Sequence, residues 1–130
     1  MKKLALLAAL PFVVGCGTPP PVSLGKLSGT IWHFTAIDGA APVGKQTSLR
    51  FDKGRIGANV GCNDMGADMK IVGGRIVAGP VMGTMMFCEG VMEQERAVGA
   101  LLGAKPAITV RGSKMTLRGG GHSAELHLED

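Results

Sequence analysis

Short alternating or β-branched runs, each closed off by a turn rich in glycine or Asp-Gly, recur from Leu27 to about Leu128, and no other feature constrains the fold of this chain as much. In 30–37, Trp32, Phe34 and Ala36 alternate with His33 and Thr35; in 46–51, Leu49 and Phe51 are in phase, and Asp52-Lys53-Gly54 turns the chain into 55–60. Lys70-Ile71-Val72 and Arg75-Ile76-Val77 flank Gly73-Gly74, a strong two-residue hairpin signal. Residues 81–87 read as a further strand, and 107–111, 113–118 and 123–128 form a closing set joined in part by Gly119-Gly120-Gly121. The 21 glycines point the same way, toward many turns and short elements. One stretch breaks the alternation. Residues 88–103 set Val91, Met92, Val98, Leu101 and Leu102 at helical spacing, with Glu89, Glu93 and Glu95 near the start, where a helix dipole favours acids, and Gly103 and Pro106 as stop signals. About eight short strands and one amphipathic helix predict a mainly β fold, a small antiparallel barrel-like sheet whose helix covers an open end or edge. With no Tyr and one Trp, the core must come from Val, Ile, Leu, Met and Ala around Trp32, Phe34 and Phe51.

The first sixteen residues have a different character. Lys2 and Lys3 form a basic start, and Leu4 through Val14 is an apolar run of 11 residues interrupted by Pro11. That is far short of the ~20 needed to cross a bilayer core, so the run reads as a signal segment. It ends in Val13-Val14-Gly15-Cys16, which resembles a bacterial lipobox. The resemblance implies cleavage before Cys16, lipid on its sulfur and an acyl chain on its amine; one acyl chain binds a membrane marginally, several bind it stably. A plain secretory signal with a coincidental Cys is the alternative. Three consecutive prolines follow, favouring an extended tether. The expected organisation is a signal peptide at 1–15, a lipidated Cys and Pro-rich tether at 16–26, and one domain at 27–130. Gly17, in place of Asp after the Cys, is what an outer-membrane lipoprotein facing the periplasm would carry if the source is Gram-negative. Removing Lys2 and Lys3 from the 14 basic residues leaves 12 against 10 acidic ones, a near balance that argues against nucleic acid as the main partner.

The opening Leu27-Ser28-Gly29-Thr30-Ile31-Trp32, then Gly61-Cys62-Asn63, Thr84-Met85-Met86-Phe87-Cys88 and a helix containing Glu95 occur in that order. Together they resemble the META domain of HslJ-like heat-shock lipoproteins, over most of residues 27–128. The motif residues carried over are Trp32, Gly61, Cys62, Asn63, Thr84, Met86, Cys88 and Glu95. This chain departs from the pattern at Phe87, where a small residue is usual, and at Asp64-Met65, where an aromatic usually follows the Asn. The resemblance implies a small β-barrel-like domain, an envelope location and a stress-associated role, and it brings no catalytic residues.

If Cys16 carries lipid, Cys62 and Cys88 remain as a pair in an oxidising compartment, and a disulfide is the economical reading. It would constrain the unfolded chain by about 3 to 4 kcal/mol. The alternatives are two buried thiols too far apart to bond, or, less in keeping with their wide spacing, a redox-active pair. Gly61 and Asn63 are read as setting a tight or left-handed turn, with a ligand loop as the functional alternative. Met82, Met85, Met86 and Met92 are soft ligands suited to Cu(I), weighed against core filling. His33, His122 and His127 are scattered, without zinc-ligand spacing. Asp64 and Asp68 faintly resemble a calcium loop but lack its ligand pattern, so a solvated loop is expected there. The basic residues are spread singly, so a polyanion patch would have to be assembled by the fold.

No nucleophile with a base can be nominated, so no enzyme and no cofactor are expected. The reading is a monomeric, membrane-anchored envelope lipoprotein serving envelope integrity or stress tolerance, with an envelope protein as partner. Inhibition of a secreted hydrolase is the alternative, and Cu(I) binding a lesser one.

Overall fold

The computed structural model describes residues 21–130; the expected signal segment and Cys16 lie outside the described residues. Nine strands and two helices follow in chain order. They are α1 (Leu24–Leu27), β1 (Ile31–Ile37), β2 (Ser48–Asp52), β3 (Arg55–Asn59), β4 (Asp64–Val72), β5 (Arg75–Ala78), β6 (Met82–Gly83), α2 (Met92–Gly103), β7 (Ala107–Arg111), β8 (Lys114–Gly119) and β9 (His122–Leu128). All pairings are antiparallel. Strands run β3-β2-β1-β9-β8-β7-β5-β4, and β4 pairs back onto β3, closing an eight-stranded barrel; β6 is the extra strand, added to β4. The mainly β, barrel-like fold expected from turn spacing is the fold observed.

The alternation works as the pattern requires, with apolar residues inward and polar ones outward. Trp32, Phe34, Leu49, Phe51, Ile56, Ile76, Met115, Leu117 and Leu126 are buried in one core. The two ends of the barrel are closed differently. At the end where β1 begins, Leu27 of α1 is buried and Val22 and Leu24 pack against the core, while the Gly29 N–H donates to the Phe51 carbonyl. At the other end, where β4 begins and the β8–β9 hairpin turns, α2 buries Ala97, Val98, Leu101 and Leu102 against β5, β8, β9 and β1. The thinnest seam lies between β5 and β7, which pair only at Arg75 opposite Ala107, and α2 packs beside it on β5.

Several sequence expectations are corrected. Ala36 does not share the core face of Trp32 and Phe34. A register shift between Phe34 and Ala36 leaves Thr35 as an extra residue, and Ile37 turns inward in its place. The helix starts at Met92 rather than residue 88, because Cys88 is tied elsewhere and Gly90, at φ 80°, breaks the helical path. The strand expected over 81–87 shrinks to Met82–Gly83. Asp64 and Asp68 are not in a solvated loop: they are outward residues of β4, paired across the strand with Asn59 and Arg55.

Candidate functional site

The turn from β3 into β4 and the segment from β6 to α2 meet at the α2-capped end. Gly61 has φ 113°, and a Cβ there would lie 2.7 Å from the Gly44 Cα, so two backbones pass where no side chain fits. A Cβ on Gly44 would collide with the Val60 carbonyl. This close approach aims Cys62 and Asn63 inward. Cys62 is bonded to Cys88 across 26 residues, with Cα atoms 5.9 Å apart, within the range a disulfide can bridge.

Asn63 is not the turn residue expected from its type. It is buried, at 3% exposure, and all its side-chain hydrogen-bonding capacity is used. Its Oδ1 accepts from the Met86 N–H at 2.7 Å and the Thr84 hydroxyl at 2.9 Å. Its Nδ2 donates to the Met86 carbonyl at 2.8 Å and to Glu95 Oε2 at 3.0 Å. The Asn63 backbone N–H donates to Glu95 Oε1 at 2.8 Å, so the carboxylate receives two bonds from one residue. The side-chain amide thus takes both backbone groups of Met86 that a neighbouring strand would otherwise pair, so strand pairing does not extend to Met86. The Thr84 N–H donates to the Asp64 carbonyl at 3.1 Å, and the Asp64 N–H to the Thr84 hydroxyl at 3.2 Å.

These bonds hold a loop by its backbone and leave its side chains outside. Met85 is 98% exposed, Phe87 80%, Met82 72% and Met86 56%. The core-filling role expected of Met82, Met85 and Met86 is therefore corrected; of that group only Met92 packs on the core, where its sulfur also receives the Cys88 N–H. Because the polar atoms here satisfy one another, what the site offers to solvent is apolar contact. Among the described residues, no group of three or more His, Cys, Asp or Glu is placed to hold a metal ion.

Of the motif residues, Gly61, Cys62, Asn63, Thr84, Met86, Cys88 and Glu95 come together. Trp32 does not: it is buried near the α1 end, its Nε1 donating to the Thr30 hydroxyl at 2.9 Å. Cys16 lies outside the described residues. Sequence reasoning missed Gln94, beside Glu95, whose Oε1 accepts from the Val43 N–H at 2.8 Å and whose Nε2 donates to the Ala41 carbonyl at 3.0 Å, lashing a second loop to α2. It also missed the pairing of two histidines with acids. His33 Nδ1 donates to the Thr47 carbonyl at 2.6 Å, and its Nε2 faces Glu129 at 3.1 Å. Both contacts favour the doubly protonated ring and raise the His33 pKa. His122 lies 2.8 Å from Asp38, which also accepts the Ser123 N–H; these bonds lower the Asp38 pKa.

The model of the family described as "META domain" matches residues 25–129. Two structures solved by NMR share the fold. One superposes with a TM-score of 0.72 at 15% identity, over 82% of this chain and 94% of that one. The other, a protein from Burkholderia xenovorans, superposes with a TM-score of 0.64 at 18% identity, over 99% of each chain. No curated protein matches the sequence.

Proposed function

The chain belongs to the META domain family, and from that membership and the geometry of the stapled loop we propose a non-catalytic binding module of the cell envelope, tethered through lipid on Cys16, that presents Met85, Met86 and Phe87 to a protein partner. The observation that carries this reading is the combination of near-complete exposure of Met85 and Phe87 with a backbone tied at Thr84, Met86 and Cys88 on either side of them. Apolar side chains concentrated on a loop favour a binding role, because solvent exposure of such a patch is unfavourable until a partner covers it. A loop already held in one shape loses little conformational freedom on docking. The tether supports the same reading: residue 21 lies by the α1 end, so a membrane attached there leaves the loop at the far end of the barrel. A disulfide suits the oxidising compartment that a signal segment implies. The role served is envelope integrity or stress tolerance, with the domain acting as a monomer.

The test places a photo-crosslinking residue at Met85 and, as control, at Lys53 in the β2–β3 hairpin, in cells grown under envelope stress. One defined protein adduct at Met85 and none at Lys53 is expected, together with loss of protection when Met85, Met86 and Phe87 are changed to Ser. Equal labelling at both positions, or full protection by the triple variant, would defeat the reading. Intact mass of the mature protein checks the tether, which requires an N-terminal, lipidated Cys16.

A second reading makes the partner a secreted hydrolase whose cleft the loop enters, favoured by the projection of Met85 and Phe87 from a rigid base. Pull-down with purified muramidases, with the triple variant as control, separates it from the first. A third rests on the accessible thioethers of Met82, Met85 and Met86, which are soft ligands for Cu(I). Equilibrium dialysis with reduced copper retires it if the protein takes up none.

A further inference from the structure

Strand register assembles on one wall of the barrel a cationic surface that the sequence scatters. Arg75 of β5 lies opposite Ala107 of β7, and Ala107 opposite Arg118 of β8. Two residues along, Thr109 lies opposite Thr116, and Thr116 opposite Glu125. Two residues further, Arg111 lies opposite Lys114, and Lys114 opposite His127. Directly paired residues share a face, so all three rows lie on the outer surface, where Arg75, Arg111, Lys114, Arg118 and His127 are exposed. The two cationic rows are separated by about 13 Å, at ~3.3 Å per residue. Between them, Thr109, Thr116 and one acid, Glu125, line a groove of about 410 Å³ whose borders are Ala107 and Arg118 on one side and Arg111 and Lys114 on the other.

The opposite wall shows what a surface with paired charges looks like in this protein. There Arg55 meets Asp68 at 2.6 Å and Arg50 meets Asp64 at 3.8 Å. On the cationic wall one acid, Glu125, approaches Lys114 at 3.7 Å, and among the described residues neither Arg111 nor Arg118 has a carboxylate within ion-pair distance. Like charges directly opposite one another, as Arg111 and Lys114 are, destabilise a strand pair.

We propose that this wall binds a polar ligand carrying two phosphate groups about 13 Å apart, one seated at each cationic row. Guanidinium groups match phosphate oxygens in a two-point fork, and three of the four strong cations are Arg. The Thr109 and Thr116 hydroxyls between the rows suit a hydroxyl-rich linker, which makes a phosphorylated glycan the fitting scaffold. No Phe or Trp lies on these rows to stack a nucleobase. The ligand could be a free phosphorylated glycan or the headgroup of a phosphorylated glycolipid; both present the same chemistry.

Calorimetric titration of the full-length protein decides the matter, using a disaccharide phosphorylated at both ends, its monophosphate, and phosphatidylcholine vesicles with and without a bisphosphorylated glycolipid. The bisphosphate should bind at least tenfold more tightly than the monophosphate. R111Q/K114Q/R118Q should weaken it at least tenfold, while R50Q/R55Q on the opposite wall leaves it unchanged. The triple variant should melt close to wild type, because the Arg111–Lys114 repulsion it relieves and the exposed Lys114–Glu125 pair it loses are both small, so a loss of binding is not a loss of fold. Binding to glycolipid vesicles alone identifies the headgroup as the source, and binding to the free disaccharide alone identifies the glycan. Equal affinity for mono- and bisphosphate, unchanged binding by the triple variant, or equally tight binding of a single-stranded oligonucleotide would overturn the proposal.

Discussion

The two ends of the barrel solve the same problem by different physics. The α1 end is shut by apolar burial: Leu27 and Trp32 go inside, and the one polar atom of the indole is satisfied locally by Thr30. The α2 end also buries an apolar helix face, but the loop beside it sends Met85, Met86 and Phe87 outward and touches the core only at its margins, through Val81 and Cys88. Its order comes instead from a disulfide, one buried Asn and one half-buried Glu. Where a segment must display apolar groups, covalent and polar ties to its backbone replace the burial that would ordinarily hold it.

Trp32→Ala should produce the largest effect. Emptying that site is expected to destabilise the whole barrel by about 3 to 5 kcal/mol in a single cooperative transition, measured by chemical denaturation; a loss confined to the α1 end would break the comparison. Reduction of Cys62–Cys88, or replacement of both by Ser, should remove about 3 to 4 kcal/mol, read by calorimetry with and without reductant. An unchanged melting temperature would mean that the staple does not constrain the chain.

Asn63→Ala sharpens the difference between the ends. It deprives Glu95 and the Met86 backbone of partners, at about 2 to 3 kcal/mol. Hydrogen exchange should accelerate in 84–90 while β1 and β9 stay protected; uniform acceleration would show that the loop is not a separately held unit. Met85→Ser should shift stability by less than about 0.5 kcal/mol, as expected for an exposed position. Correspondingly, dilute peroxide should convert Met82, Met85 and Met86 to sulfoxides before the buried Met65, Met69 and Met115, as peptide mass mapping would register. The smallest effect concerns pH. His33 has a raised folded pKa, so its contribution is complete below its unfolded value near 6.5 and disappears as pH rises through the folded value. His33→Gln should therefore narrow the difference in melting temperature between pH 5 and pH 9, and an unchanged difference would remove His33 from the account.

Much of the fold was legible because strand alternation and turn chemistry are local. Residues 107–111 emerge as β7 with the expected limits, and Gly73-Gly74 turns between β4 and β5 as its type demands. The bulge at Thr35 was not legible, since it depends on register against β9 and leaves no mark in the sequence of β1. The first half of β4 hid behind Asp64, Gly66 and Asp68, residues that usually signal loops and here sit on the outward face of a strand. At the loop, the motif residues were legible as a set but not in their roles: Asn63 is named by its neighbours at 84, 86 and 95, which only the fold supplies. The sequence signal at Met85-Met86-Phe87 points the wrong way, because a short continuous apolar run reads as a buried strand, and only the ties of Asn63 to Met86 turn it outward.

Closure of β4 onto β3 has a further consequence at high local concentration of the domain. The ring leaves short stretches of strand edge, beside the single β5–β7 pair and along the two-residue β6, rather than one long row of unsatisfied backbone groups for another chain to extend. Copies brought to high local density, as the proposed lipid tether would bring them, would thus lack a long template for stacking into fibrils.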